Sequence, residues 1–455
     1  MAEFLRNSDA FIWSIEADPR LRSTIVSLIL LDRSPDWKEV TNRFDLLSRT
    51  VPMFRQRVMP SPPPAPPRWE FDPDFDLAFH LRRVTAPEPA TIDTLLEMAR
   101  LAAMADFDRA RPLWEATLID GLADGGAALL CKLNHALTDG VGAVEMATTL
   151  YDPTAQYELR PLPKEPTRVL ARPLGGLRDV VSYEAGLAGK VLGGSLNAAP
   201  GLVADGIRHP VRTVASMCST AASILRTARP IGSPGSPMMR DRRQIRRLAV
   251  YQVPTEALRR AGNVAGGSLN DAFIAAVAGG LRRYHEKHGT TVGDLVMTMP
   301  INIRTAADSM GGNHATLIRF GVPASIADPV RRIQIIHDRT GKARNEKSLR
   351  YTQFIAGVLN LMPRWYTAAA LRHVDFVASD VPGFPSPVFL AGATVRMQYA
   401  FSPTIGAAVN VTLLSYVDTC AIGINVDAGA IPDHEVFCDC LAAGFDEVLA
   451  LAPRP

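Results

Sequence analysis

Two kinds of hydrophobic pattern follow one another along the chain, and together they predict a mixture of strands and helices. Segment 23–31 is mostly apolar and rich in branched side chains, which predicts a buried strand. In segment 36–51, apolar residues recur every three or four positions and would share one face of a helix. They are Trp37, Val40, Phe44, Leu47 and Val51. The chain therefore opens with a strand followed by a helix.

The same two patterns continue to the end of the chain. Further strands are predicted at 69–84, 115–119, 129–133, 248–253, 295–300, 315–322, 409–416 and 421–426, and near Phe376 and Val395. Further helices are predicted at 8–16, 92–105, 141–150, 254–262, 268–285, 329–342, 349–361 and 434–451. Strands and helices are mixed without strict alternation, in two halves of similar size. This order predicts the α+β class, with two domains that each contain a mixed sheet.

Proline and charge patterns divide the chain. Four prolines between positions 151 and 166 predict a domain boundary. Segment 169–229 is low in charge and rich in Ala, Gly, Ser and Leu, which predicts a helical crossover. Its apolar faces would pack inside the protein, contact lipid or form part of a substrate tunnel. We therefore predict an N-terminal domain over 1–160, a crossover over 161–239 and a C-terminal domain over 240–455.

Composition narrows the functional classes. A formal charge of +3 over 455 residues is nearly balanced, so no nucleic-acid partner is expected. The five cysteines are scattered and odd in number, which favours free thiols in a reducing compartment. The N-terminus does not resemble a signal peptide, and no apolar run reaches the roughly 18 residues of a membrane-spanning helix. We expect a cytoplasmic protein that is soluble or peripheral on a membrane surface.

One polar loop carries the candidate chemistry. The apolar strand at 129–133 leads into Asn134, His135 and, four positions after the histidine, Asp139. A histidine is a natural general base because its unperturbed pKa lies near neutrality. Asp139 could instead serve only to cap the helix that begins at Gly140.

Other enzyme classes fit the sequence less well. His135 and Asp139 could together bind a metal ion, but no third ligand stands at a recognisable spacing, so no metal is expected. The chain contains no G-x-S-x-G, no G-x-x-x-x-G-K-[ST] and no G-x-G-x-x-G. Serine hydrolases, phosphate-loop enzymes and dinucleotide-binding proteins are therefore disfavoured, and no bound cofactor is expected.

The motif loop and six further blocks resemble one known family. The loop resembles the H-H-x-x-x-D-G signature of the bacterial wax ester synthase/acyl-CoA:diacylglycerol acyltransferases, which belong to the CoA-dependent acyltransferase superfamily. Six other blocks resemble that family's patterns F-D-L-x-x-H, R-P-L-W-E, N-D, P-V-S-x-R, G-N and S-N-V-P-G, in the same order. They lie at 75–80, 111–115, 270–271, 300–304, 312–313 and 379–383. The resemblance spans both halves of the chain.

The resemblance implies a fold and a mechanism. It implies two chloramphenicol-acetyltransferase-like domains joined by the crossover, with an active-site channel between them. His135 would then take the proton of an acceptor hydroxyl, which attacks the thioester of acyl-CoA, the co-substrate, without a covalent acyl-enzyme. By the same analogy Asp139 and Gly140 support the motif loop, with Arg304 as the partner of Asp139. The matched blocks make Asn270, Asp271 and Ser379 candidates to line the cleft.

Two positions depart from the family pattern. The first histidine of the usual pair is Asn134, which keeps donor and acceptor groups but cannot titrate. We interpret this change as tuning rather than inactivation, because the expected chemistry depends on the second histidine. Asp380 replaces the asparagine of S-N-V-P-G. That change bears on the choice of acceptor more than on catalysis.

The expected function is transfer of a long acyl chain from acyl-CoA to diacylglycerol, to a long-chain alcohol, or to both. Because the products would be apolar, we expect the protein to act at the inner membrane face or at lipid droplets. Two alternatives stay open at this stage. The acceptor could be another hydroxyl compound, such as a polyketide or a glycolipid, or the chain could be a non-catalytic lipid-binding relative.

Overall fold

The computed structural model describes residues 3–62, 65–157, 160–165, 232–302, 315–346, 356–357, 359–360, 362, 371 and 373–452. In the first half the helices are α1 (Asn7–Ile15), α2 (Trp37–Thr50), α3 (Leu77–His80), α4 (Ile92–Met104) and α5 (Gly140–Ala147). In the second half they are α6 (Thr255–Val264), α7 (Leu269–Lys287), α8 (Pro329–Arg344) and α9 (His434–Leu449). Many of these helices begin at a side-chain cap. Ser268, for example, accepts a hydrogen bond from the backbone of Asp271 at the start of α7.

Fifteen strands form three sheets among the described residues. The first-half strands are β1 (Glu3–Phe4), β2 (Thr24–Leu31), β3 (Gln56–Met59), β4 (Arg68–Phe71), β5 (Leu81–Thr85), β6 (Trp114–Asp120) and β7 (Ala127–Asn134). The others are β8 (Arg246–Pro254), β9 (Asp294–Asn302), β10 (Ala315–Pro323), β11 (Phe376–Val381), β12 (Phe389–Leu390), β13 (Ala393–Phe401), β14 (Val409–Tyr416) and β15 (Thr419–Asp427). A small sheet has the order β1-β4-β3.

The two large sheets each contain six strands and are both mixed. The first has the order β12-β13-β2-β7-β6-β5, in which only β5 and β6 are parallel. The second has the order β10-β9-β11-β14-β15-β8, in which β11 runs parallel to both neighbours. Helices pack against both, and this architecture confirms the predicted α+β class with mixed sheets.

Strands β12 and β13 connect the two halves. Both come from the second half of the chain, but β13 pairs antiparallel with β2, so that Gln398 lies opposite Ile29 and Ala400 opposite Ser27. Gly423 of β15 permits the crossing, because a Cβ there would lie 2.1 Å from the carbonyl oxygen of Ala400. The first large sheet therefore takes two of its six strands from the second half of the chain, and one of these, β13, also crosses β15 of the second sheet closely. The domain bounds at 160 and 240 remain a prediction.

Most elements lie where the hydrophobic pattern predicts them, but the stretch 69–84 differs. The hydrophobic pattern predicts one extended strand there, but β4 ends at Phe71 and the short helix α3 precedes β5. Asp76 explains the interruption, since its side chain accepts a hydrogen bond from Ala78 N (2.9 Å) and starts the helical turn. The predicted helix at 349–361 and the crossover segment 169–229 fall largely or wholly outside the described residues.

Candidate active site

The motif loop lies between the end of β7 and the start of α5. Strand pairing ends with Asn134 opposite Thr24 of β2. The Asn134 Oδ1 atom then accepts a hydrogen bond from Ala136 N (2.9 Å), which turns the chain away from the sheet. Asp139 caps α5 by accepting from Gly142 N (2.8 Å), as the sequence predicts. His135 is therefore fixed between a strand end and a capped helix.

His135 faces an internal cavity, and burial alters its acidity. Its backbone N donates to the carbonyl of Ser23 (3.0 Å), and the side chain lines the cavity. The Nδ1 atom is enclosed and has no hydrogen-bond partner. Burial lowers the pKa of His135 below its ordinary value of 6.5, and the nearby charge of Asp139 opposes this shift only in part. The imidazole is consequently neutral at pH 7 and can accept a proton.

Asn134 belongs to a buried polar network beneath the motif loop. Its side chain is fully buried and its Nδ2 donates to Glu16 Oε1 (2.7 Å). Ser23 donates to the same oxygen through its backbone N (3.0 Å) and through its hydroxyl. Burial raises the pKa of Glu16, and these hydrogen bonds oppose the shift. The amide thus holds the loop through two hydrogen bonds, one with each end of its side chain.

Gly140 and Asp139 lie where the two halves meet. A Cβ on Gly140 would lie 2.8 Å from Val381 Cγ2 of β11, so glycine allows this close contact. Asp139 is buried and lines the cavity next to His135. Its expected partner Arg304 lies outside the described residues, and that pairing stays a prediction.

The cavity, together with its opening to solvent, has about 1480 Å³ of empty volume, and its walls come from both halves of the chain. On the first-half side its walls are largely apolar, with Ser27 and Glu115 as polar exceptions outside the motif loop. The apolar side chains include Ile25, Ile29, Phe44, Leu47, Phe54, Trp114, Ala116, Cys131, Leu133, Ala147 and Leu150. The strand residues among them share one face of the first sheet, because alternate residues of a strand point to the same side. The others belong to α2 and α5 or follow these helices closely, as Phe54 and Leu150 do. We call this region the apolar arm.

Three aromatic side chains stand together in the apolar arm. Trp114 stacks on Phe44 with 5.8 Å between ring centroids and lies 5.1 Å from Phe54. Its indole Nε1 donates to the carbonyl of Phe54 (2.8 Å). His80, the histidine of the F-D-L-x-x-H block, stacks on the other side of the indole at 4.7 Å. Trp114 is therefore held rigidly from several sides.

The second-half side of the cavity carries a polar wall. We use this name for Thr298, Ser379, Gln398, Ser402, Thr404, Asn410 and Thr412. Asn410 donates to the carbonyl of Pro403 (2.7 Å) and accepts from the Thr412 hydroxyl (3.1 Å). Most of the polar side chains that line the cavity thus come from the second half of the chain, where they stand among apolar neighbours such as Val377 and Leu414.

The three cleft-lining candidates lie in different places. Ser379 lines the cavity. Asn270 and Asp271 are not among the residues that form its described walls, and they lie instead at the start of α7. Asp271 receives hydrogen bonds from the Thr340 hydroxyl (2.9 Å) and from Ser268 N (2.9 Å). It therefore ties α7 to α8, whereas Asn270 Nδ2 contacts Met299 Sδ at 3.8 Å.

No thiol nucleophile is available near His135 among the described residues. Cys131 lines the apolar arm, but burial raises the pKa of its thiol to about 12, so it stays protonated. Within the described ranges, no three His, Cys, Asp or Glu side chains come together as a possible metal site.

Sequence reasoning missed several of these residues. Glu16 lies 118 positions before Asn134, and no local pattern connects the two. Gln398 and Thr404 follow from the pairing of β13 with β2, which hydrophobic periodicity does not reveal. Trp114 and His80 were noted only as parts of matched blocks. The close packing of their rings gives those blocks a physical role.

Comparisons with known proteins agree with this architecture. The family model of the wax ester synthase/diacylglycerol acyltransferase catalytic domain matches residues 5–273, and that of the C-terminal domain of the same family matches residues 311–448. A Mycobacterium tuberculosis protein named as a diacylglycerol O-acyltransferase is 38% identical over 447 residues, covering 97% of this chain and 90% of the relative.

Two solved structures share the fold. The wax ester synthase/diacylglycerol acyltransferase from Marinobacter aquaeolei VT8 superimposes with a TM-score of 0.65 at 22% identity, covering 99% of this chain and 100% of that one. A starter condensation domain of rhizomide synthetase, in complex with C8-CoA and Leu-SNAC, gives a TM-score of 0.64 at 13% identity, covering 100% and 95%. The implied two-domain acyltransferase fold is confirmed. With both family models matched and a close relative aligned along nearly its whole length, the chain belongs to the wax ester synthase/diacylglycerol acyltransferase family of acyltransferases.

Proposed function

We propose that this protein transfers a long acyl chain from acyl-CoA to the hydroxyl of diacylglycerol or of a long-chain alcohol, with His135 as the general base. The observation that carries the proposal is the position of His135. Its imidazole, whose pKa is lowered by burial, opens onto the cavity. A base in a largely apolar site with walls from both halves suits direct transfer between two bound substrates.

The proposed reaction balances without any further reagent. His135 takes the proton of the acceptor hydroxyl while the hydroxyl oxygen attacks the thioester carbonyl. The tetrahedral intermediate then expels the sulfur of CoA, which leaves with the proton that His135 carries. The products are the new ester and free CoA. Nδ1 is enclosed, so Nε2 on the opposite edge of the ring is the nitrogen proposed to carry the proton.

The oxyanion of the intermediate needs a hydrogen-bond donor. Ser379 is our candidate, because it lines the cavity and lies two residues before Val381 in β11. Val381 packs against Gly140 at the start of α5. Asp139 and Asn134 are proposed to position the loop rather than to contact substrate. Arg304 remains the proposed partner of Asp139.

The apolar arm supports a long-chain acyl donor. Burial of each methylene contributes about 0.8 kcal/mol, so an arm lined by aliphatic and aromatic side chains favours long chains over short ones. The rhizomide synthetase domain of the same fold was solved with C8-CoA. By analogy we propose acyl-CoA as the donor for this chain.

The membrane relationship is also a proposal. Among the described residues no single helix is long and apolar enough to cross a bilayer, although the bent pair α6 and α7 meets the criterion jointly. Diacylglycerol and long-chain alcohols partition into lipid, so the enzyme would meet its acceptor at a membrane or droplet surface. Co-flotation with dioleoylglycerol-containing vesicles, but not with vesicles that lack it, is the expected result.

Release of free CoA tests the proposal. The purified protein is given palmitoyl-CoA with dioleoylglycerol or hexadecanol, and a thiol reagent measures CoA. We expect acceptor-dependent release that falls at least about a thousandfold in His135→Ala. Equal release by the wild type and the variant with every acceptor would instead favour a lipid-binding protein. Release only with a different hydroxyl compound would show that the acceptor belongs to another chemical class.

A further inference from the structure

Two buried polar side chains of the polar wall have no hydrogen-bond partner. Gln398 of β13 is 5% exposed and its Nε2 atom is unpaired. Thr404, in the loop after β13, is 2% exposed and its Oγ1 atom is unpaired. Both residues line the cavity. Most buried polar groups in proteins are hydrogen-bonded, so two such groups at one cavity wall need an explanation.

The backbone around these two side chains is well fixed. Gln398 lies opposite Ile29 in the β13–β2 pairing, and its face of the strand also presents Ala400 to the cavity. The loop that carries Thr404 is held by Asn410, which donates to the Pro403 carbonyl (2.7 Å), and by Asn425, which donates to the Ser402 carbonyl (3.0 Å). A hydrogen bond from Ala407 N to the Thr404 carbonyl (2.9 Å) closes the turn. The backbone therefore holds both side chains at the cavity wall.

Only some acceptor molecules carry oxygen atoms that could accept hydrogen bonds from Gln398 and Thr404. A plain alkanol has one oxygen, which the proposed reaction requires at His135. Such an acceptor displaces water from the polar wall and leaves Gln398 and Thr404 unpaired. A diacylglycerol brings two ester carbonyls beside its free hydroxyl, and carbonyl oxygens accept hydrogen bonds from amides and hydroxyls.

We infer that Gln398 and Thr404 select acceptors that carry ester carbonyls next to the attacked hydroxyl, and so favour diacylglycerol over a plain long-chain alcohol. The inference rests on the proposed function, because it assigns a preference among the acceptors of that same site. The two side chains are specificity-determining residues that bind the acceptor and take no part in proton transfer.

A set of three acceptors tests the inference. The wild type is assayed with dioleoylglycerol, with its diether analogue, which lacks both carbonyls, and with oleyl alcohol. The variants are Gln398→Leu and Thr404→Val. The matched control is Thr117→Val, on the side of β6 away from the cavity. We expect wild-type kcat/KM to be at least about tenfold higher for the diester than for the diether or the alcohol.

Each variant should reduce that preference by roughly three- to tenfold, while transfer to oleyl alcohol is retained. Thr117→Val should keep the wild-type ratio. A wild-type ratio near one, or a ratio that neither variant changes, overturns the inference while leaving the acyltransferase proposal intact. Absence of transfer to all three acceptors contradicts the proposed function instead. Retained alcohol transfer also shows that each variant folds.

Discussion

At the scale of single residues, Asn134 occupies the position of the first histidine in the family motif, and its surroundings explain how an asparagine is accommodated there. The side chain does not line the cavity, but joins Glu16 to the backbone of Ala136. An asparagine fits this role because it donates with one end and accepts with the other. The departure is therefore consistent with an intact catalytic loop, as the interpretation of tuning requires.

Removal of this amide gives a direct prediction. In Asn134→Ala both hydrogen bonds are lost and the loop that carries His135 is less well fixed. We expect kcat to fall about ten- to a hundredfold, with a smaller change in KM, because misplacement of the base affects the chemical step. Asn263→Ala on the exposed face of α6 is the control and should retain wild-type kcat. Wild-type kcat in Asn134→Ala would contradict the positioning role.

The pH dependence of activity also belongs to this scale. A protonated imidazole cannot accept a proton, so kcat/KM should fall as the pH drops through the pKa of His135. Burial lowers that pKa below 6.5, so the acid limb should have its midpoint below 6.5. Initial rates across the range, with circular dichroism to confirm folding at each pH, measure it. A midpoint at or above 6.5 would argue against His135 as the titrating group.

At the scale of elements, α5 and β11 hold the two halves in contact at the active site. Gly140→Ala would place a methyl group 2.8 Å from Val381 Cγ2, although alanine is otherwise the better helix former. We expect a destabilisation of about 1–3 kcal/mol, measured by denaturant unfolding, and slower transfer. Adding Val381→Ala should recover part of both losses.

The control for this pair is Gly341→Ala in α8, where an added Cβ meets no atom within 4 Å. That change should be neutral or slightly stabilising, since it only removes a glycine from a helix. If the double variant is no better than the sum of its single variants, the contact between α5 and β11 is not what limits position 140.

Some elements could be predicted from the sequence and others could not, and the reason is physical. Helices such as α2 and α7 were predictable because their caps and apolar faces are formed by residues that lie close together in the sequence. The motif loop was predictable for the same reason. The pairing of β13 with β2 was not, since it joins positions more than 360 residues apart through contacts that leave no local pattern. Gln398, Thr404 and Glu16 escaped prediction for that reason.

At the scale of the whole molecule, the cavity is built so that neither half alone forms the site. The first half supplies the apolar arm and His135, and the second half supplies the polar wall. Small side chains along the apolar arm, such as those of Ala116 and Ala147, leave space for an acyl chain.

Filling the arm should therefore change the preferred acyl chain. In Ala147→Phe we expect the ratio of transfer from octanoyl-CoA to that from palmitoyl-CoA to rise by at least about tenfold, because a ring in the arm excludes distal methylenes. Ala123→Phe, in the exposed turn between β6 and β7, should leave the ratio unchanged. An unchanged ratio in Ala147→Phe would show that the acyl chain lies elsewhere.

The central claim is that His135 performs the proton transfer in a site that otherwise binds its donor normally. The most direct test measures palmitoyl-CoA binding and triacylglycerol formation from labelled palmitoyl-CoA in the same preparations of wild type and His135→Ala. We predict similar dissociation constants and product formation at least about a thousandfold slower in the variant. Product formation at near wild-type rates in His135→Ala, with donor bound equally well, would contradict the claim.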